Sequence, residues 1–396
     1  MHILTFTTLF PNARQPVHGL FIRNRMEAFT RRYGHKWTVV APVPWFPKLP
    51  FAVSPMYDAY ARVAAKEEDR GYPVYHPRYL VTPVVGMKQY GGWMAQGAAA
   101  TVRRIHAQTP IDVIDAHYAY PDGTAACRIG KELGIPVVLS ARGTDLNLFT
   151  RMPDILPRIQ ANYRDAARLI CVSNGLAKVA LATGAEAAKI SVIGNGIDPA
   201  LFHALPPQAA VEARRSLGLP ADKRILLSVG HLVELKGFHL AIEALAALKR
   251  DDVIFVAVGE GAQRHGLEAL AARLGVTDKV RLPGAVKQPD LPKWYAAADL
   301  FTLMSSREGW PNVVTEAQAM GLPVVATRVG DIEDLVSVPD QGMLLEERSA
   351  GALATALDGA LGRQWDRDAI AKAGAARTWE AVAERLEPVF RSVVGR

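Results

Sequence analysis

The chain reads as an α/β protein of two doubly wound, Rossmann-like domains, and three observations carry that reading. Its 396 residues exceed one ordinary domain, for which about 150 residues is a soft prior. Short β-branched runs alternate with longer Ala-rich stretches, the pattern of parallel sheets covered by helices on both faces. That series occurs twice, and Gly194-Asn-Gly-Ile-Asp198, Pro199, Pro206 and Pro207 lie between the copies, which is turn and linker chemistry.

The first series places strands at Ile3–Phe6, Lys36–Val40, Val113–Ala116, Val137–Ser140, Leu169–Val172 and Ile190–Ile193. The second places them at Ile225–Val229, Ile254–Val258, Val280–Leu282, Leu300–Leu303, Val324–Ala326 and Gly342–Leu344. Helices are expected at Phe238–Lys249, Arg264–Leu274, Leu291–Ala298 and Asn312–Met320. These elements divide the chain into a domain over 1–200, a second over 201–377 and a C-terminal helix within 378–396. In that helix Trp379, Val382, Leu386, Val389 and Phe390 recur at helical spacing, the mark of a core face. Residues 42–93 fit the scheme poorly. They are rich in aromatic residues and proline, and an irregular excursion on the first domain is expected there. Ligands of open α/β sheets sit beyond the carboxyl ends of the strands, so a site in a cleft between facing domains is expected.

Composition narrows the function classes. Apolar residues make up 49% and charged residues 21%, near the globular average, which excludes a mainly disordered, collagen-like or coiled-coil chain. Only Cys127 and Cys171 are present, too few for a disulfide framework, so a reducing cytoplasm is expected. Met1–Phe10 lacks a basic start and a small-residue cleavage site and reads as a first strand. No window approaches the ~20 apolar residues of a membrane span. The net charge of +7 is uneven: residues 1–200 hold 23 Lys and Arg against 14 Asp and Glu, a surplus of 9. A solvated basic face, an anionic membrane surface and an anionic substrate all fit that surplus. Nucleic acid fits poorly, because zinc-ligand spacing and dense Lys/Arg runs are absent from the sequence.

The most informative stretch is Ser305-Ser-Arg-Glu-Gly-Trp-Pro-Asn-Val-Val-Thr-Glu-Ala-Gln-Ala-Met-Gly-Leu-Pro-Val-Val-Ala326. It leaves a strand, opens a helix and enters another strand. Pro311 suits a first helical position, and the N–H groups after it stand at a helix N-terminus, which attracts anions. Glu308 precedes the helix and Glu316 lies inside it, so the two can border one pocket from different sides. Ser228-Val-Gly-His-Leu-Val-Glu-Leu-Lys-Gly237 ends the first strand of the second domain, and Val258-Gly-Glu-Gly261 and Leu282-Pro-Gly-Ala-Val286 end the next two. In the first domain Pro16-Val-His-Gly-Leu-Phe-Ile-Arg-Asn-Arg25, Asp115-Ala-His-Tyr-Ala-Tyr-Pro-Asp-Gly123 and Ser140-Ala-Arg-Gly-Thr-Asp-Leu-Asn147 follow strands in the same way.

Together these motifs resemble the retaining nucleotide-sugar glycosyltransferases of family 4, over nearly the whole chain. The resemblance implies the GT-B fold, with two Rossmann-like domains facing across a cleft. It implies that Glu308 lies by the donor sugar and diphosphate and that Glu316 holds the ribose hydroxyls. Lys236 matches a family cation on the donor diphosphate, while His231 stands where the family has Arg. Trp310-Pro311 replaces a common Phe-Gly pair, which leaves sugar and phosphate contacts to Gly309, Trp310, Asn312 and Val313. The segment ending at Val286 matches one whose backbone meets the nucleotide base. On the first domain the resemblance implies a loop at His18 and Gly19 facing donor phosphate and acceptor, His117 near the donor sugar, and Arg142, Thr144 and Asp145 on the acceptor side. Lys236, Glu308 and His117 are the implied catalytic residues.

The reaction that the resemblance implies is a transfer from a nucleotide-diphosphate sugar, UDP- or GDP-linked, with retention and without metal or cofactor; the nucleotide sugar is itself a substrate. Arg142–Asn147 and Glu308–Ala317 look most like bacterial exopolysaccharide and teichuronic-acid-type enzymes. The expected acceptor is a glycan or a lipid-diphosphate-linked sugar, and the expected location is the cytoplasm or the inner face of the cell membrane. Trp45, Phe46, Lys48 and Phe51 suit either membrane docking or internal packing. Two alternatives stay open: a non-hydrolysing sugar-nucleotide 2-epimerase, and a catalytically degenerate binder of nucleotide or glycan.

Overall fold

Aliphatic and β-branched residues build two separate, largely parallel sheets, each flanked by helices. The computed structural model describes residues 1–45, 60–82, 86–330, 332–336 and 338–395. Phe46, Lys48, Phe51 and Tyr57 of the aromatic stretch lie outside the described residues. The chain divides into two compact units, Met1–Asn195 with Trp379–Arg396, and Gly196–Thr378.

The first unit carries β1 (His2–Phe6), β2 (Lys36–Val40), β3 (Val43–Trp45), β4 (Lys66–Asp69), β5 (Tyr72–Tyr75), β6 (Arg78–Leu80), β7 (Val113–His117), β8 (Val137–Ala141), β9 (Arg168–Cys171) and β10 (Ile190–Val192). Its main sheet has the order β10-β9-β8-β7-β1-β2-β5-β4, and all its pairings are parallel except β4 with β5. β1 lies between β2 and β7, so the chain reverses its direction of winding there. The central strands are buried along their length, which explains their unbroken apolar sequence.

The second unit carries β11 (Arg224–Val229), β12 (Val253–Val258), β13 (Val280–Gly284), β14 (Leu300–Leu303), β15 (Val324–Thr327) and β16 (Gly342–Leu345), in the order β13-β12-β11-β14-β15-β16. All are parallel. The winding reverses between β11 and β14.

The stretch over 42–93 is more regular than its composition suggests. Among its described residues, β5 extends the main sheet beyond β2, β4 pairs antiparallel to it, and β3 pairs with β6. Alternation in Tyr72-Pro-Val-Tyr75 is masked by proline, which sits near the start of the strand, ahead of the residues that pair with β2. Tyr79 is buried, Tyr72 and Tyr75 are half-buried, and Trp45 is 51% exposed.

The helix Trp379–Arg391 belongs to the first unit. It packs on the helix Leu20–Tyr33, burying Trp379, Val382, Leu386, Val389 and Phe390 in a cluster with Met26 and Phe29. The Phe29 and Phe390 rings lie 5.1 Å apart, and Arg32 donates to Glu384 at 2.6 Å on the rim. Phe390→Ala should therefore cost about 3–5 kcal/mol. Urea unfolding followed by tryptophan fluorescence checks this, with a loss of that size expected in the transition of the first unit.

Candidate active site

In both units the candidate residues gather where the strands end at the reversal of winding, the place where a crevice opens in a doubly wound sheet. In the second unit the loops after β11 and β14 are fastened to each other. The Ser306 N–H donates to the Leu235 carbonyl at 2.9 Å. Arg348 donates to the carbonyls of Met304, at 2.8 Å, and Glu234, at 3.1 Å. Gly237 adopts φ 71°, and a Cβ there would lie 2.1 Å from the Met304 carbonyl oxygen, so only glycine lets the two loops approach this closely.

That approach brings Lys236 and Glu308 together. Lys236 Nζ donates to Glu308 Oε1 at 2.6 Å, and Ser305 Oγ donates to the same oxygen at 2.5 Å. The pair is half-buried, with side-chain exposures of 20% and 9%. Pro311 is the residue just before the helix Asn312–Ala319 rather than its first, so the first helical N–H groups belong to Asn312 and Val313. Trp310, Val313 and Val286 pack against one apolar cluster, and Gly309 is half-buried beside them. His231 is exposed beyond the end of β11.

Glu316 points inward from that helix and is only 8% exposed. Its Oε2 accepts from the buried Tyr295 hydroxyl at 2.8 Å. Burial pushes its carboxyl up to about 7, against the opposing hydrogen bond from Tyr295. Tyr295 and Ser305 escaped sequence reasoning. Their hydroxyls hold the two glutamates, and the only signal was one tyrosine and one serine beside otherwise apolar runs.

In the first unit Gly19 has φ 69°, and a Cβ there would meet the Leu9 carbonyl oxygen at 2.1 Å. It starts the helix Leu20–Tyr33. His18 is half-buried beside a cavity of about 200 Å³ bordered also by Gln15, Tyr60 and His76, and burial lowers its imidazole below the ordinary value. Thr144 is exposed at the start of a four-residue helix.

Asp145 does not face outward to an acceptor. It is fully buried and accepts from the backbone N–H groups of Arg142 at 3.0 Å, Gly143 at 2.7 Å and Ala119 at 2.8 Å. It fixes the turn that carries Arg142. His117 is also fully buried, and both ring nitrogens are taken. Nε2 lies 2.6 Å from Asp115 Oδ2, and Nδ1 accepts from Arg142 Nε at 3.0 Å. The ring for which the resemblance implies a donor-sugar contact thus has both nitrogens engaged within the protein. Arg142 Nη1 donates to Asn195 Oδ1 at 3.0 Å. Burial, with help from Arg142, holds the His117 imidazole down to about 3 despite the adjacent Asp115, so it is neutral at physiological pH. Asp115, Arg25 and Asn195 were missed as site residues; the available signal was the charge of Asp115 inside an otherwise apolar strand, while Arg25 is one of several charges on its helix.

No group of metal-binding side chains occurs among the described residues, and no described helix is long and apolar enough to cross a membrane.

Residues 211–377 match the family model of group 1 glycosyl transferases, and residues 22–201 match that of glycosyltransferase family 4. TuaC of Bacillus subtilis (strain 168), assigned as a glycosyltransferase of teichuronic acid biosynthesis, is 31% identical over 368 residues, covering 90% of this chain and 88% of TuaC. A D-inositol 3-phosphate glycosyltransferase of Thermobispora bispora is 36% identical over 228 residues, and the match spans 52% of this chain and 51% of that relative. Among solved structures, sucrose-phosphate synthase from Thermosynechococcus elongatus superposes with a TM-score of 0.76 at 20% identity, covering 99% of this chain and 98% of the other. Anabaena HepE in complex with UDP gives a TM-score of 0.76 at 20% identity, covering 99% and 100%. Two Rossmann-like domains with these matches define a glycosyltransferase of the GT-B fold. Within that class, the chain belongs to glycosyltransferase family 4.

The shifted Glu316 predicts a pH effect on stability. Between the ordinary glutamate value of about 4.3 and about 7, the folded state holds a proton that the unfolded state has released. This contribution is therefore fully present below pH ~4.3 and lost by pH ~7. Glu316→Gln should remove it, so the variant should gain stability relative to the parent between pH 5 and pH 8. Denaturant titrations at both values measure the difference.

Proposed function

We propose that the protein is a retaining glycosyltransferase that moves a sugar from a UDP- or GDP-linked donor to a glycan or lipid-linked sugar acceptor in bacterial envelope or exopolysaccharide synthesis. The carrying observation is the Lys236–Glu308 pair at the switch point of the second sheet, beside the helix that starts at Asn312. Departure of a nucleoside diphosphate needs stabilisation of developing negative charge. A preorganised ammonium and helix-terminal N–H groups supply it without a metal. Release of Glu308 by the incoming diphosphate would leave its carboxylate to orient the sugar. Glu316, held by Tyr295, would take the ribose hydroxyls.

TuaC, matched along most of both chains, supports the envelope role, and the HepE complex with UDP supports a uridine nucleotide. A front-face route, in which the donor phosphate takes the acceptor proton, accounts for retention without a carboxylate nucleophile. The basic surplus of residues 1–200 supports a cytoplasmic enzyme that docks on anionic membrane.

Incubating the protein with UDP- and GDP-sugars and an undecaprenyl-diphosphate-linked sugar, in chelator, tests this reading. NMR of the product should show the anomeric configuration of the donor, and an inverted product would refute retention. Lys236→Ala should reduce turnover at least tenfold, about 1.4 kcal/mol of barrier. Glu316→Ala should weaken donor binding measured by calorimetry; unchanged affinity would remove its ribose role.

A further inference from the structure

Arginine has donors and no acceptors, so His117 Nδ1, which receives Arg142 Nε at 3.0 Å and Nη2 at 2.6 Å, must present its lone pair. The ring proton therefore sits on Nε2 and is donated to Asp115 Oδ2 at 2.6 Å. Asp115 is backed in turn by Arg25, whose Nη2 lies 3.7 Å from Asp115 Oδ1 and whose Nη1 donates to Ser140 Oγ at 3.2 Å. Thr5 Oγ1 is 3.4 Å from Asp115 Oδ2. Arg25, Asp115 and His117 are all fully buried.

The line ends on a cation. The Arg142 guanidinium is held by two neutral acceptors, His117 Nδ1 and Asn195 Oδ1, and lies over the Phe21 ring at 5.2 Å. Its neighbour Asp145 is occupied by backbone N–H groups, that of Arg142 among them. Arg142 is half-buried, at the carboxyl end of β8. It is thus a fixed, partly exposed charge aimed by a histidine whose tautomer is set from behind.

We propose that Asp115, backed by Arg25, is a positioning residue that locks His117 as its Nε2–H tautomer, and that His117 thereby aims Arg142 at a diphosphate group of a substrate. The identity of that diphosphate rests on the function proposed above; the tautomer relay does not. It places His117 behind the substrate-touching residue rather than among the catalytic ones.

The relay gives Asp115→Asn a definite consequence. Arg25 draws the carbonyl oxygen of the new amide, which turns its NH2 towards His117 Nε2. The ring must then carry its proton on Nδ1, against the Arg142 donors. ¹⁵N-histidine NMR of the full chain at pH 7 should show Nε2–H in the parent and Nδ1–H in the variant. Inorganic pyrophosphate, titrated in a Lys236→Ala background and followed on the Arg142 Nε–H signal, should bind at least tenfold more weakly after Asp115→Asn. His117→Leu should lose as much, whereas His117→Asn, whose side-chain oxygen can replace Nδ1, should retain most of the affinity and keeps the test open if Asp115→Asn does not fold. UDP and farnesyl diphosphate titrated in parallel assign the anion to donor or acceptor. An Nδ1–H parent ring overturns the relay, as does undiminished binding of all three anions once the tautomer has switched or His117→Leu has removed the ring. A parent that transfers no sugar but passes the NMR and pyrophosphate tests would sink the proposed function and leave the relay standing.

Discussion

The candidate chemistry depends on one constraint of parallel sheets: a strand flanked by neighbours that wind away in opposite directions leaves a crevice at its carboxyl end. β1 with β7, and β11 with β14, create that crevice once in each unit. Backbone groups are paired within the sheet, so the loops leaving it are free to vary while their starting points stay fixed. Gly19 and Gly237 tighten the result, since each brings a helix start against a carbonyl where a side chain would not fit.

The two units use charge differently. Lys236 is matched by Glu308, an arrangement that lets a stronger anion displace the carboxylate and leaves neither charge stranded beforehand. Arg142 is instead held by neutral acceptors. The balancing carboxylate, Asp115, lies one imidazole away, and its own partner Arg25 is buried. Burial opposes ionisation of Asp115, while the charges of Arg25 and Arg142 and the hydrogen bond from the neutral His117 ring favour it. Burying such a set costs free energy unless each member is held, which suits a role in fixing geometry rather than in stabilising the fold.

Most of the architecture was legible because buried parallel strands announce themselves as continuous apolar runs. β2 and β14 begin and end where the sequence placed them, and the others differ by a residue or two. The strands over 66–80 were hidden, since Lys66-Glu-Glu-Asp69 is an edge strand with no apolar signature. At the site, the family resemblance pointed to Lys236, Glu308 and Glu316, and the fold places the loops that carry them beside one reversal of winding. Spacing could not say which way a side chain turns. Asp145 and His117 both face inward, because neighbouring backbone amides and an aspartate two residues upstream offer them partners. Ala119 for Asp145 and Arg142 for His117 come from distant elements that only the fold brings near.

The return of the helix Trp379–Arg391 to the first unit bears on how the protein is made. Translation delivers the last piece of that unit's core after every residue of the other, while domains emerging from the ribosome tend to fold in order. Here the order is inverted. The unit Gly196–Thr378 is contiguous and can close as soon as it is complete, whereas the face of Leu20–Tyr33 that holds Met26 and Phe29 stays uncovered until the helix Trp379–Arg391 has been made. Until then the nascent first unit carries apolar surface that its own core later buries.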